Sequence, residues 1–429
     1  MRRWPSTRRI DVGIDFGDGP QPLGAAVGEG RAIEFQYDGA FVARGLQPSP
    51  IRLKLGTEPR TGPVELDGLP GMLFDSLPDG WSHIVLRRHL RAQGYDPDSL
   101  GPLDRLGLVR RDGPGALVFS GPETPITAPS VDFDTAAALI SKAPDEEDAD
   151  LVRMALTMAG SLGGARPKAN VYLADGKFST ADSPGAEPWI VKFPAKNDGP
   201  QIGAVEFAYS LMARAAGIEM PPTTLLSSTE TAGYFAVKRF DREDGGGRLH
   251  MHSLAGLLNV TANSDTGYRQ LMLVTGALTQ PRGANMASIE EQIRRMAFNV
   301  LARNRDDHVK NHAFLMNAQG EWRPSPAFDL TFCNSERHAL MIANDRTEVG
   351  TDDLLEITRP LKFSDAEVTR MLERTAATIG EWPRFAQEAG VEPGLARDIS
   401  TALGNEPAGS GGAGARMALR HSMGSGFGG

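Results

Sequence analysis

Between residues 288 and 332 the chain changes character four times, and no other stretch restricts its fold and chemistry as tightly. Ser288 and Glu291 have the spacing of a helix capping box, and Ile289, Ile293, Met296, Val300 and Leu301 recur at helical intervals on one face. That pattern predicts a packed helix ending at about Arg303. The following octet, NRDDHVKN (304–311), crowds two acids, a histidine, a lysine and an asparagine into one polar loop. Such a cluster is costly to fold around unless it is solvated or chemically employed. HAFLMN then alternates like a strand, NAQGEW turns the chain back into a second strand, and PAFDLTF isolates a single acid, Asp329.

Phosphoryl transfer uses parts in this order. An Asp orients and deprotonates a hydroxyl, while an Asn and a second Asp hold the magnesium that bridges nucleotide phosphates. The spacing fits Asp306 as base and Asn311 and Asp329 as metal ligands, with Asp307 as a supporting neighbour. Two other readings of the same residues stay open at this point. One is a solvated loop with incidental charges. The other is a metallohydrolase, because His308 and His312 stand four apart, although the helix and the Glu of the zincin pattern are missing.

A phosphate-handling site also needs backbone N–H groups and a lysine upstream. Gly160, Gly163 and Gly164 sit in a turn ending at Lys168, and Lys192 lies in the apolar strand WIVKFP, where an unpaired ammonium would be costly. A buried lysine wants an anion. Glu206, on the following helix VEFAYSLMARAAG, is one candidate; a solvent-facing glutamate is the alternative. The turn matches neither Walker A, since Ala169 stands where Ser or Thr is needed, nor the glycine-rich loop of ordinary protein kinases.

The rest of the chain organises around these parts. Residues 1–121 read as an α/β unit, with strands RIDVGIDFG, RAIEFQY and IRLKLG, a helix from Trp81 through SHIVLRRHLRAQG, and a closing strand GALVF. SGPETPITAPS reads as a linker. Residues 122–240 read as a helix through Asp150 to Met158, then strands ANVYL, WIVKF, TTLL and YFAVKRF with one prominent helix; residues 241–403 are mostly helical. Residues 404–429, rich in glycine, alanine and serine, are expected to form a disordered tail. The net charge of −9 opposes the basic footprint of a protein that grips nucleic acid alone, so any DNA contact is expected to run through a partner. The lone Cys333 excludes an internal disulfide and a multi-cysteine metal cluster. No apolar run approaches the ~18 residues of a membrane span, and MRRWPSTRR lacks the apolar core of a secretory signal. The expected setting is cytoplasmic, without a membrane.

SLGGARPKANVYL, WIVKFP, YFAVKRFDR, NRDDHVKNHAFL and PAFDLTF, in that order, resemble the HipA-type serine/threonine kinases, the toxin halves of bacterial toxin–antitoxin pairs. FDSLPDGW and LGLVRRDGPGALVF are similar to segments of the domain that precedes the kinase core in that family, so the resemblance spans roughly residues 10–400. It implies an α+β fold: a two-lobed core like those of protein and phosphoinositide kinases, preceded by a small α/β N-terminal domain. It implies ATP and Mg2+ as cofactors, Asp306 as catalytic base, Asn311 and Asp329 as magnesium ligands, and Lys192 as the phosphate-binding lysine. Gly163, Gly164, Ala165, Arg166, Pro167 and Lys168 would form the nucleotide loop. Lys238, Arg239 and Phe240 would form the hinge that meets adenine, with Asp241, His308 and Phe328 as further nucleotide contacts. Lys238 departs from the acidic residue that can occur at this hinge. Ser161 falls where the family carries an autophosphorylated serine. The implied partners are a small helix-turn-helix antitoxin and a protein substrate, an aminoacyl-tRNA synthetase in the best-known members. A catalytically silent co-repressor, or a kinase acting on a small molecule or lipid, are the alternatives.

Overall fold

The computed structural model describes residues 1–111, 113–121, 131–143, 154–155, 158, 163–183, 185–279, 285–343, 347 and 349–405. Ser161, Gly160, most of the linker, most of the helix expected through Asp150 to Met158, and residues 406–429 of the expected tail lie outside these.

Alternation builds the N-terminal unit. Ile10, Val12 and Ile14 on one strand and Ile33, Phe35 and Tyr37 on another point to one buried face, as a period of two requires. The sheet runs Arg60–Thr61, Ala32–Tyr37, Gln21–Glu29, Arg9–Ile14, Leu117–Phe119, with antiparallel neighbours throughout. The expected strand IRLKLG is absent. Leu53 instead enters the core from a turn, its N–H donating to the Ser49 carbonyl at 3.2 Å and its carbonyl accepting from the Tyr37 hydroxyl at 3.0 Å. Helix Gly80–Ala92 leaves this unit and packs Trp81 and Val85 into the core of the next sheet, beside Val171, Val191 and Ala236.

That second sheet is antiparallel, in the order Thr223–Leu226, Tyr234–Lys238, Glu187–Lys192, Lys168–Ala174, Lys177–Ser179. Its helix, Ile202–Ala215, has a second allegiance: Tyr209 packs edge-on against Phe298 and Trp382, and its hydroxyl donates to the Ala302 carbonyl at 2.8 Å. The helix is thereby fixed to the end of helix Asn285–Leu301, just ahead of the polar loop. A three-stranded sheet, His250–Ser253, Ala313–Met316 and Trp322–Pro324, then carries the hairpin expected after that loop. Leu271, Ile293, Met296, Phe314 and Val368 form the core of the helical lobe.

The capping-box expectation is corrected. The helix is already formed at Asn285, so Ser288 and Glu291 lie inside it and both are buried. Glu291 serves other partners, accepting from the Glu219 N–H at 3.1 Å and from Arg295 Nε at 2.8 Å. Among the described residues no helix is long and apolar enough to cross a membrane.

Candidate active site

Strand register creates the electrostatic problem on which the site is built. Lys168 and Lys192 are direct cross-strand partners on adjacent antiparallel strands, a placement that repels unless anions lie between or beside the two ammonium groups. The fold supplies two. Lys192 Nζ donates to Glu206 Oε1 and to Asp329 Oδ1, with only 11% of its side chain exposed. Burial alone would lower the Lys192 pKa, but Asp329 and Glu206 outweigh it and hold the ammonium above its ordinary value. The converse holds at Asp329: burial would raise its pKa, and the charges of Lys192 and Lys168 keep it well below the usual carboxylate range. Lys168, also buried, donates to the Gly163 carbonyl; burial pushes its pKa down although Asp329 opposes the shift. Glu206 is thus a buried partner rather than a solvent-facing residue. Arg166 reinforces the cluster, its Nε donating to Asp198 Oδ2 at 3.0 Å and its Nη1 lying 3.7 Å from Glu206 Oε2.

Asp329 holds its position in a backbone conformation that side-chain-bearing residues avoid, φ 54°. Such outliers cluster at functional sites. Arg303, with φ 53°, ends the preceding helix in the same way and starts the loop.

The loop divides its two acids. Asp307 is buried and anchors: it accepts from the Tyr268 hydroxyl at 2.6 Å, the Ala339 N–H at 2.8 Å and the Leu340 N–H at 3.3 Å, and lies 3.0 Å from His338 Nδ1. Burial would raise its pKa, and its contacts with His338 and Tyr268 outweigh that and lower it. Asp306 turns outward, its side chain 64% exposed and 3.8 Å from His308 Nε2. Partial desolvation, with a further contribution from the Asp329 charge, moves its pKa up while His308 opposes. Asn311 Nδ2 donates to the Asp306 carbonyl at 2.7 Å, which orients the amide and leaves Oδ1 as the atom able to take a cation. An outward carboxylate of raised basicity, an oriented amide and a carboxylate on a lysine can together orient a hydroxyl and hold a hard cation.

The other expected contacts are distributed as follows. Phe240 and Phe328 stack obliquely at 5.4 Å, and Phe328 lines a small cavity with Lys192, Glu206 and Asp329. Lys238 faces Glu187 at 3.0 Å and Asp244 at 3.5 Å. Arg239 and Asp241 bond to each other, and Asp241 also accepts from the Gly115 N–H at 2.7 Å, so this carboxylate serves the joint with the N-terminal unit. Ala165 and Pro167 follow the glycines, with the Pro167 carbonyl accepting from the Phe193 N–H at 2.9 Å. Two side chains went unassigned by sequence reasoning. Lys310 lay inside the octet without a role, and Asp79, whose carboxylate accepts from Lys310 Nζ, carried no local signal beyond the turn residues LPDG.

The HipA-like C-terminal domain model matches residues 160–383, and the HipA N-terminal domain model matches residues 20–120. Among curated proteins, the Y4dM protein of Sinorhizobium fredii, whose name marks it as a candidate kinase, is 29% identical over 280 residues, covering 61% of this chain and 62% of that protein. A second candidate kinase, from Haemophilus influenzae, is 22% identical over 179 residues, covering 39% of this chain and 51% of its own length. The chain therefore spans between half and two thirds of these curated relatives. Among solved structures, HipA of Shewanella oneidensis MR-1, in complex with HipB and its operator DNA, superposes with a TM-score of 0.64 at 17% identity, covering 91% of this chain and 95% of that one. The shared fold is the α+β, two-lobed kinase-like core with a preceding sheet unit. With both of its domain models matched in order and the C-terminal one covering more than half of the sequence, the chain belongs to the HipA family.

Proposed function

We propose that the chain is an ATP- and Mg2+-dependent serine/threonine protein kinase and the toxin of a toxin–antitoxin pair. The observation that carries this reading is the Lys192 bridge between Glu206 and Asp329, set beside Lys168, with Asp329 near enough to the polar loop for its charge to act on Asp306. Two lysines converging on one carboxylate match the charge of triphosphate oxygens.

The residues present fit both groups. Asp329 and Asn311 offer the hard oxygen donors that magnesium prefers, and because no cluster of three or more His, Cys, Asp or Glu gathers among the described residues, phosphate and water would complete the shell. Gly164 sits at φ 97°, a backbone conformation that favours glycine, and a Cβ there would stand 2.7 Å from Lys168 Nζ. Bound magnesium would screen charge between the phosphates. Asp306 would take the proton from the acceptor hydroxyl as that oxygen bonds to the γ-phosphorus and the bond to the β,γ-bridging oxygen breaks, releasing ADP. Lys192 and Lys168 would hold the phosphates, and Phe240 and Phe328 would flank the base.

Ser161, two residues before Gly163, is proposed as the autophosphorylation site. Phosphate there adds about −1.5 to −2 charge and would compete with ATP for Arg166, Lys168 and Lys192. By likeness to the Shewanella complex, the proposed partner is a small helix-turn-helix antitoxin, with DNA reached through it, as the net charge of −9 favours. The proposed acceptor is a protein, with an aminoacyl-tRNA synthetase the first to assay. The test is incubation of purified chain with Mg2+ and ATP, followed by phosphopeptide mapping and ATP-binding measurement. Phosphate on Ser161, weaker ATP binding afterwards and loss of both in Asp306→Asn are expected; absence of any ATP turnover overturns the reading.

A further inference from the structure

Asp79 stands where a helix N-cap belongs, immediately before helix Gly80–Ala92, yet its carboxylate does not cap that helix. An Asp at this position ordinarily accepts from the N–H groups of the first turn. Here Oδ1 accepts from the Gly164 N–H at 2.6 Å, and Oδ2 accepts from Lys310 Nζ. The neighbouring residues complete the grip on the same glycine: the Trp81 N–H donates to the Gly164 carbonyl at 3.0 Å. Both backbone polar groups of Gly164 are therefore held by residues 79–81.

The approach is as close as glycine allows. A Cβ on Gly80 would fall 2.3 Å from the Gly164 carbonyl oxygen, Gly80 itself has φ 50°, and a Cβ on Gly163 would fall 2.7 Å from Asp79 Oδ1. Lys310 is held from a second side by the N-terminal unit, its ammonium 5.3 Å from the centre of the Phe74 ring. It also lies one residue before Asn311, in the turn Val309–Asn311. Burial would raise the Asp79 pKa, but Lys310 and the Gly164 N–H outweigh it, so the carboxylate stays charged.

We propose that Asp79 is a positioning residue: the N-terminal unit reaches into the kinase-like cleft and ties the glycine turn to the loop of Asp306 and Asn311, setting the separation of the two halves that would share a nucleotide. The proposal rests on the nucleotide-binding reading for its consequence, though not for its geometry. Asp79→Ala removes both bonds. Asp79→Asn keeps an oxygen for the Gly164 N–H and loses the charge that pairs with Lys310.

Two measurements on the full chain decide it. Hydrogen exchange without nucleotide should show the Gly164 amide exchanging about tenfold faster or more in Asp79→Ala, which loses the acceptor, and at an intermediate rate in Asp79→Asn, which keeps a neutral one. In kinetics, Asp79→Ala should raise KM for ATP about tenfold while kcat stays within about threefold, a split that general destabilisation would not produce. Asp79→Asn combined with Lys310→Met should cost no more than either change alone, because each removes the same pair. Unchanged Gly164 exchange in Asp79→Ala, or additive effects of the pair, overturns the proposal. The exchange measurement needs no nucleotide, so an unmodified chain that binds no ATP overturns the functional reading and leaves the clamp to be judged on exchange.

Discussion

The carboxylates of Asp306 and Asp329 lie near enough to influence each other, and their environments drive them in opposite directions. Asp329, with two lysines beside it, is held charged; Asp306, partly desolvated and facing that charge, is shifted up. Under the proposed function, divergence of this kind would separate a metal ligand, Asp329, from a base, Asp306. Asp306→Asn should lower phosphoryl transfer by about two to four orders of magnitude, the range for losing a general base, with ATP affinity kept. Asp329→Ala should instead abolish the magnesium dependence of ATP binding, as calorimetry with and without the metal would register. The pH consequence follows from sign. A base with raised pKa is lost as pH falls through that raised value, so the acid limb of the rate profile should lie above the ordinary aspartate value of about 3.9. Because His308 lowers the Asp306 pKa, His308→Ala should move that limb further up. For stability the same shift acts in reverse: a carboxyl whose folded pKa is raised favours folding below the unfolded value and loses that contribution as pH rises through the folded one. Asp306→Asn should therefore melt no lower than the wild type at neutral pH, and a clearly lower melting temperature would show that Asp306 is structural. That Asp306 and Asn311 share one polar loop was legible because their spacing within one short run is local. The Lys192 partner was half legible, since strand apolarity demanded an anion while the choice of Glu206 depended on how a distant helix packs.

At the scale of elements, the polar loop keeps its shape because groups from two other segments converge on Asp307, and the end of the preceding helix braces one of them. Tyr268 comes from helix Tyr268–Thr279, and its hydroxyl also accepts from Asn299 Nδ2 at 2.9 Å. Asn304 Nδ2 donates to Asn299 Oδ1 at 2.9 Å, joining the loop to the preceding helix. His338 and the N–H groups of Ala339 and Leu340 come from beyond the Asp329 segment. Sequence periodicity found the helix and the hairpin but misplaced the helix start, because the Ser288 and Glu291 pattern looks the same inside a helix as at its cap. It could not find the Asp307 partners, which are 31 to 39 residues away in sequence and carry no shared pattern. Tyr268→Phe leaves Asp307 and Asn299 each short of a buried partner, and should cost about 1–3 kcal/mol in denaturant unfolding. If the loop is the catalytic element, the same variant should lower kcat more than it raises KM for ATP. A variant as stable as the wild type would mean that water replaces the hydroxyl.

At the scale of the whole molecule, the N-terminal unit is joined to the kinase-like core by buried ionic contacts that composition and periodicity do not encode. The linker SGPETPITAPS could be read as a unit boundary, but the docking of the N-terminal unit depends on pairs more than a hundred residues apart. One joint is Asp241, between Arg239, Arg242 and the Gly115 N–H. A second is Asp75, which accepts from the Ser253 N–H and hydroxyl, each at 2.7 Å, and lies 2.7 Å from His252 Nδ1, whose Nε2 is 3.0 Å from Ser49 Oγ. The arrangement has the geometry of a nucleophile triad, but Ser49 is 1% exposed, so it fastens rather than reacts. Burial would raise the Asp75 pKa, and His252 and Ser253 outweigh it and lower it. A carboxyl with depressed folded pKa binds fewer protons folded than unfolded, so its contribution is fully present above the unfolded value of about 3.9 and is lost as pH falls through the folded value. Asp75→Asn should cost about 1–3 kcal/mol at pH 6, where the charged hydrogen bonds are intact. The difference between wild type and variant should then shrink as pH is lowered below about 4, because protonation removes in the wild type what the substitution removed in the variant. Denaturant unfolding of both proteins across pH 3 to 6 measures that difference directly, and a gap that stays constant over the range would show that the joint at Asp75 holds by packing and not by its charge.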